Sequence, residues 1–285
     1  MGWISKADAY QLIIETFCSA KLDKKTLDNW ITLGKEMQVI KNKNKIGFDQ
    51  DTLNNWIHRI QESIVYLDDD SYKKCFTFAV EAYYSSMTRA DFNRGKQRDV
   101  GEFLTNQISG KLGEIAVQKQ VNKLNIDIQL DFNVNGQIPS QDIIQVSTRK
   151  NVWNNPALKV SIKSTKLKNI LLAIPENEIQ IPDRTSDIYI LAQVGLYPDH
   201  ILRIIKQFEP KFLLNHINLI PDFGLIPARI AGWTSLKDLK SSGPMKPEQI
   251  NELYNIKMAA NNYVKTSGEL SFNWEELCSL IIGNT

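Results

Sequence analysis

The sequence predicts an α/β (α+β) protein: a central mixed sheet flanked by helices, with a helical region in front of it. Three observations carry this. Residues 1–87 place apolar side chains at three- and four-residue steps, the helical period. From about residue 128 the pattern turns to short apolar or alternating runs, which are strand signals. Helical segments frame those runs, Thr105 to Leu124 before them and Pro247 to Tyr263 after. The expected division is a helical region over 1–87 and a second domain over 88–285.

In the first region, Ala9, Leu12, Ile13, Thr16 and Phe17 mark one face of a helix from Lys6 to Ala20. Thr26-Leu27-Asp28-Asn29-Trp30-Ile31 then returns 26 residues later as Thr52-Leu53-Asn54-Asn55-Trp56-Ile57. Each copy sets Leu and Trp three apart on one helical face. Two readings are open: a helix-turn-helix-like DNA reader, or a small bundle with both Trp residues in its core. The stretch Lys41 to Gly47 reads as a polar basic loop. Asp68-Asp69-Asp70 suits the positive end of a helix dipole and opens a helix from Tyr72 to Met87. Arg89, Arg94, Lys96 and Arg98 follow in a polar segment, expected to be a surface loop.

In the second region the strand candidates are Ile143–Val146, Lys159–Lys163, Ile170–Ile174, Ile188–Val194 and Arg229–Trp233. Gly110 and Gly113 stand inside the preceding helix, each costing about 1 kcal/mol relative to Ala. Their presence there predicts a close backbone approach that brings Glu114 against the strands.

Composition removes several classes. With 42% hydrophobic residues among 285, the chain has material for a core and is not disordered. Apolar runs such as Ile170–Ile174 fall far short of the ~18 residues of a membrane helix, and the N-terminus lacks a signal-peptide pattern. Three scattered cysteines (Cys18, Cys75, Cys278) predict reduced, buried thiols in a cytoplasm. P-loop, dinucleotide-binding, HExxH and GxSxG motifs are all missing, and the three histidines read as surface or hydrogen-bonding residues. The near-neutral charge, 34 basic against 32 acidic residues, at first argues against nucleic acid.

One constellation remains. Asp142 stands at a strand start, and Val160-Ser161-Ile162-Lys163 follows about twenty residues later. Strand alternation puts Ser161 and Lys163 on one face, with Val160 and Ile162 toward the core. If the two strands pair, a carboxylate and an ammonium meet at one end of a hairpin.

Gly113-Glu114 on a helix, Asp142 at a strand start and Ser161-Ile162-Lys163 on the next strand resemble the PD-(D/E)xK nuclease superfamily, the fold of most type II restriction endonucleases. The similarity spans roughly residues 100 to 240. It implies a restriction-endonuclease-like core and Mg²⁺-dependent, sequence-specific hydrolysis of double-stranded DNA. By that resemblance Asp142 binds Mg²⁺, Glu114 is a second carboxylate at or near the ion, and the Ile162 carbonyl completes the shell. Lys163 then orients the attacking water or stabilises the developing charge. Position 161 departs from the pattern: it should be Asp or Glu and is Ser, so the missing carboxylate must come from elsewhere, Glu114 first and Glu176 second. The resemblance also implies a bacterial, cytoplasmic homodimer with a cognate DNA methyltransferase as its genetic partner.

Charge distribution reopens the question of DNA. From Ile143 to Pro175 there are six basic residues, Arg149, Lys150, Lys159, Lys163, Lys166 and Lys168, and no acidic one. Trp153, Asn154 and Asn155 sit in the same stretch, in an expected loop. Arg149, Lys150, Asn154, Asn155, Lys166 and Lys168, with Arg94, Lys96 and Arg98, are therefore the expected DNA contacts, to phosphates and base edges. Two rival functions stay open: a non-catalytic DNA-binding protein, for which Ser161 argues, and a structure-specific repair nuclease of the same fold.

Overall fold

An alternating segment, Val160–Lys166, and a wholly buried one, Ile188–Val194, lie side by side as a parallel pair. They belong to a computed structural model that describes residues 2–17, 22–42, 45–85, 99–134, 141–149, 152–201, 215, 217 and 223–283. Its strands are β1 (Trp3–Ser5), β2 (Ile40–Asn42), β3 (Lys45–Asp49), β4 (Ile64–Leu67), β5 (Asp127–Leu130), β6 (Ile143–Arg149), β7 (Val152–Asn154), β8 (Val160–Lys166), β9 (Leu171–Pro175), β10 (Ile188–Val194), β11 (Ile226–Ser235) and β12 (Asn262–Thr266). Its α-helices are α1 (Lys6–Thr16), α2 (Lys24–Asp28), α3 (Gln50–Ser63), α4 (Asp69–Tyr84), α5 (Val100–Asn122), α6 (Glu176–Gln180), α7 (Leu236–Lys240), α8 (Pro247–Tyr254) and α9 (Trp274–Ile282). The protein is mixed α/β, and none of the described helices is long and apolar enough to cross a membrane.

The central sheet runs β4-β11-β10-β8, with β8 and β10 parallel and the other pairs antiparallel. An antiparallel sheet, β5-β6-β7, adjoins its β8 edge. The join is Asp142, whose backbone N–H donates to the Val160 carbonyl at 3.0 Å. On one face, α4 and α5 bury Phe76, Phe103 and Leu112 against Val160, Ile162, Ile190 and Ala192. The opposite face carries Tyr189 and Leu191, packed with Leu172 and Ile174 of β9, Ile179 of α6 and Leu239 of α7. Strand alternation produces this two-sided burial.

Aspartates open four of the helices. Asp23, Asp49, Asp68 and Asp99 each accept a hydrogen bond from a backbone N–H three residues on, satisfying donors that the first helical turn leaves bare. The run at Asp68–Asp70 is thus a cap, as expected. In α5, a Cβ at Gly113 would run into the Ser164 hydroxyl and stand 3.1 Å from Ala192 Cβ. That glycine permits the helix to lie on β8 and β10. Gly110 meets no neighbour within 4 Å of its Cβ position, although its carbonyl accepts from Ser164 Oγ at 3.3 Å.

Residues 1–87 are not all helical. β1, β3 and β2 form a small antiparallel sheet, so the expected basic loop over 41–47 is a hairpin whose strands include Lys41 and Lys45. β4 pairs with β11 in the central sheet. Leu27, Trp30, Leu53 and Trp56, the echoed pairs, are all buried in one cluster with Phe48 and Ile60. The α1 face is Ala9, Tyr10 and Ile13, while Leu12 is exposed; near one Leu–Ile step, spacing alone does not choose the buried edge. The late helix also ends early. Asn255 adopts left-handed φ of 54° after α8, and residues 262–266 turn into β12.

A buried charge pair ties the first region to the sheet. Arg229 of β11 and Glu36 are both wholly buried and meet through two hydrogen bonds, at 2.9 and 2.6 Å. Ser267 Oγ (2.5 Å) and Trp56 Nε1 (3.2 Å) also donate to the Glu36 carboxylate, and the guanidinium stacks 4.3 Å from the Trp30 ring. The turn after β8 is held from four directions. Leu167 O accepts from Trp30 Nε1, Lys168 O from Asn29 Nδ2, Asn169 O from Gln193 Nε2, and Ile170 O from the Ser267 N–H.

Candidate active site

Asp142 is fixed at the mouth between β6 and β8. Its Oδ2 accepts from the Ile162 N–H at 2.5 Å, while its own N–H is taken by Val160. The carboxylate therefore stands against the middle of β8, and Oδ1 takes no hydrogen bond from a described residue. This differs from the expected hairpin end: Asp142 meets the backbone beside Lys163, and the ammonium meets another partner.

That partner is Glu178. Lys163 Nζ lies 2.7 Å from Glu178 Oε1, with both side chains partly exposed. Ser161 shares the Lys163 face, is buried, and sits opposite Tyr189 in the ladder. Burial pushes the Tyr189 phenol up to about 12, and the nearby Glu178 and Asp187 charges add to it. Glu176, the weaker candidate for the missing carboxylate, instead accepts from Asn261 Nδ2 at 3.0 Å. Glu178 was missed because its position depends on how β9 returns beneath β8, and no local spacing encodes that path.

Glu114 lies on the α5 face, where Ser164 rather than Lys163 points. It is buried, and Lys111 Nζ donates to its Oε2 at 2.8 Å and to the Asp131 carbonyl at 2.6 Å. The same ammonium lies 4.9 Å from the Phe78 ring centre and 5.2 Å from that of Phe132. Burial, followed by the charge of Asp142, raises the Glu114 carboxyl to about 8 despite Lys111. The structure thus brings Glu114 into electrostatic reach of Asp142 and joins it directly to Lys111. Lys163 is joined to Glu178.

The oxygen donors around mid-β8 are hard ligands, suited to Mg²⁺ and unlike a thiolate or imidazole set. Among the described residues no three His, Cys, Asp or Glu side chains converge as a metal cluster. Mg²⁺ characteristically keeps several waters and takes one or two carboxylates, and Asp142 is the carboxylate that lies directly on β8.

The expected DNA contacts divide. Asn154, Asn155, Lys166 and Lys168 are exposed. Asn154 ends strand β7, so the expected loop is partly a ribbon. Arg149 closes β6. Lys150, Arg94, Lys96 and Arg98 lie outside the described residues, as do Cys18 and His216. Cys75 and Cys278 are buried and free. His200 is buried with Nδ1 2.8 Å from the Tyr72 hydroxyl, and His58 is on the surface 3.6 Å from Glu62.

No protein-family model matches this chain, and no curated protein or solved structure matches it significantly.

Proposed function

We propose that the protein is a Mg²⁺-dependent, sequence-specific endodeoxyribonuclease of restriction type, with its centre at Asp142, Ser161, Lys163 and Glu178. The observation that carries this reading is the Asp142 carboxylate locked onto the Ile162 N–H, between Ser161 and Lys163. It puts a carboxylate on the backbone one residue from Lys163, on a strand buried at its start and open at its end.

In this reading Asp142 holds the ion through its free oxygen, and Glu178 supplies the carboxylate that position 161 lacks. The Ile162 carbonyl and the Ser161 hydroxyl lie on the same strand segment and complete an oxygen-only lining. Bound Mg²⁺ supplies a lowered water pKa and positive charge for the phosphate oxygens. Lys163, held by Glu178, keeps its ammonium at the centre, where it orients the attacking water and offsets charge gained by the phosphate. Glu114, raised to about 8 by burial and the Asp142 charge, stays largely protonated behind Asp142 at neutral pH and is not needed as a ligand. Asn154, Asn155, Lys166 and Lys168 lie on the DNA side, and a two-fold symmetric site would call for a homodimer in a bacterial cytoplasm, with a methyltransferase protecting the host's DNA.

The test is incubation of the purified chain with phage DNA and Mg²⁺, followed by sequencing of the ends. Discrete ends at one sequence, lost in Asp142→Ala and Lys163→Ala while binding persists, support the reading. DNA binding without any cleavage under Mg²⁺ or Mn²⁺ leaves the non-catalytic rival, which Ser161 favours. Ends that track junctions or free termini, with no common sequence, favour the repair nuclease.

A further inference from the structure

β7 is the outer strand of the β5-β6-β7 sheet, and all three of its residues are exposed. Val152 and Trp153 point to opposite faces of the strand, yet they are 51% and 42% exposed. Both faces of a strand reach water only where a ribbon stands clear of the body. Two ladder pairs hold it, Val146 with Asn154 and Arg149 with Val152, with a register shift between them. Such an irregularity bends and twists a ribbon out of its sheet.

Natural edge strands are normally blunted by charge, proline or cover. This one presents Val, Trp and Asn. Its surroundings select the occupant. The stretch from 143 to 175 has six basic residues and no acidic one, so a second copy of the ribbon would meet like charge, whereas a polyanion would meet its complement. A two-stranded ribbon fits the DNA major groove, where base edges and thymine methyls are presented; an exposed indole gives them apolar contact, and the exposed amides of Asn154 and Asn155 carry a donor and an acceptor each. β6 starts immediately after Asp142 and its seven residues span roughly 20 Å. Trp153 therefore lies within one duplex turn of the candidate centre.

We propose that the β6–β7 ribbon enters the major groove of duplex DNA and that Trp153 packs against base edges there, acting as a positioning residue for the cut. This rests on the DNA reading given above. The full chain is titrated without Mg²⁺ against a fluorescent duplex of a sequence it cuts, or of mixed sequence if none is found, as wild type, Trp153→Ala and Trp153→Phe. Trp153→Ala is expected to lose about tenfold in affinity with an unchanged salt slope, since no phosphate contact is removed, and Trp153→Phe to retain most of it. Duplex addition is expected to quench tryptophan emission in the wild type and much less in Trp153→Phe, because of the other five tryptophans Trp30, Trp56 and Trp233 are buried and Trp3 and Trp274 are only partly exposed.

Wild-type binding matched by Trp153→Ala overturns the role of Trp153 alone and leaves the nuclease reading intact. A wild type that binds no duplex overturns both. A wild type that binds and cuts nothing defeats the nuclease reading while the affinity comparison still decides the role of Trp153. Sedimentation of both proteins identifies the competing occupant: a dimer lost in Trp153→Ala makes the ribbon a self-association edge and overturns the proposal.

Discussion

Lys163 Nζ and Glu178 Oε1 are 2.7 Å apart, on the sheet face opposite the Lys111–Glu114 pair. Each lysine of the candidate region thus has its own carboxylate, and the sheet separates the two couples. Glu178→Gln is expected to lower Mg²⁺-dependent cleavage about a hundredfold, the scale of losing one preorganised charged group, with little change in melting temperature. Glu176→Gln, whose carboxylate binds Asn261 instead, is the control and is expected to cut normally. Equal losses in both variants, measured on phage DNA, would remove Glu178 from the centre.

The two α5 glycines predict opposite outcomes. Gly113→Ala drives a methyl group into Ser164 and Ala192 and is expected to destabilise by about 1–3 kcal/mol, as overpacking does. Gly110→Ala meets open space and is expected to stabilise by up to about 1 kcal/mol through helix propensity. Urea unfolding of the two variants checks both signs.

Arg229→Met leaves the Glu36 carboxylate buried without its guanidinium. The expected loss is about 3–5 kcal/mol, the cost of breaking a buried pair from one side. The double variant Glu36→Gln/Arg229→Met is expected to be more stable than Arg229→Met alone, because the stranded charge is gone. Denaturation midpoints that simply add would disprove the coupling.

Two buried groups set the pH window of stability from opposite sides. Burial lowers His200 from 6.5 to about 4, so the unfolded chain takes up its proton first, and stability falls as pH drops from about 6.5 toward 4. Glu114 is raised from 4.5 to about 8, so its contribution is complete below about 4.5 and is lost as pH climbs through 8. Melting temperatures across pH 4–9 are expected to flatten on the acid side in His200→Asn and on the alkaline side in Glu114→Gln. Unchanged slopes in the variants would refute these assignments.

Much of the architecture was readable from local pattern. Strand alternation put Ser161 and Lys163 on one face and Val160 and Ile162 in the core, and Asp68 was recognisable as a cap. The Gly113 contact followed from a helix glycine having no local reason to be there. What was not readable depends on long-range return paths. β4 joins β11 across about 160 residues, and α6 comes to lie under β8 only because β9 turns back. The short strands β1–β3 carry Lys, Asn and Gly, which by propensity belong in loops, and they pair because their neighbours bury Phe48. Glu178 and the Glu36–Arg229 pair escaped for the same reason.

The turn from Leu167 to Ile170 gives its carbonyls to Asn29, Trp30, Gln193 and Ser267. Those partners span most of the chain, and the turn directly follows the strand that carries Lys163. Three of the four partners leave the ribosome before residue 194, so the anchoring of this turn is completed only when residue 267 follows. An activity assembled there switches on only in the nearly finished chain, so a nascent fragment is inert toward the nucleic acid crowding around it. Fragments ending before Asn262 lack β12 and are expected to lose hydrogen-exchange protection along β9, whereas the full chain protects it.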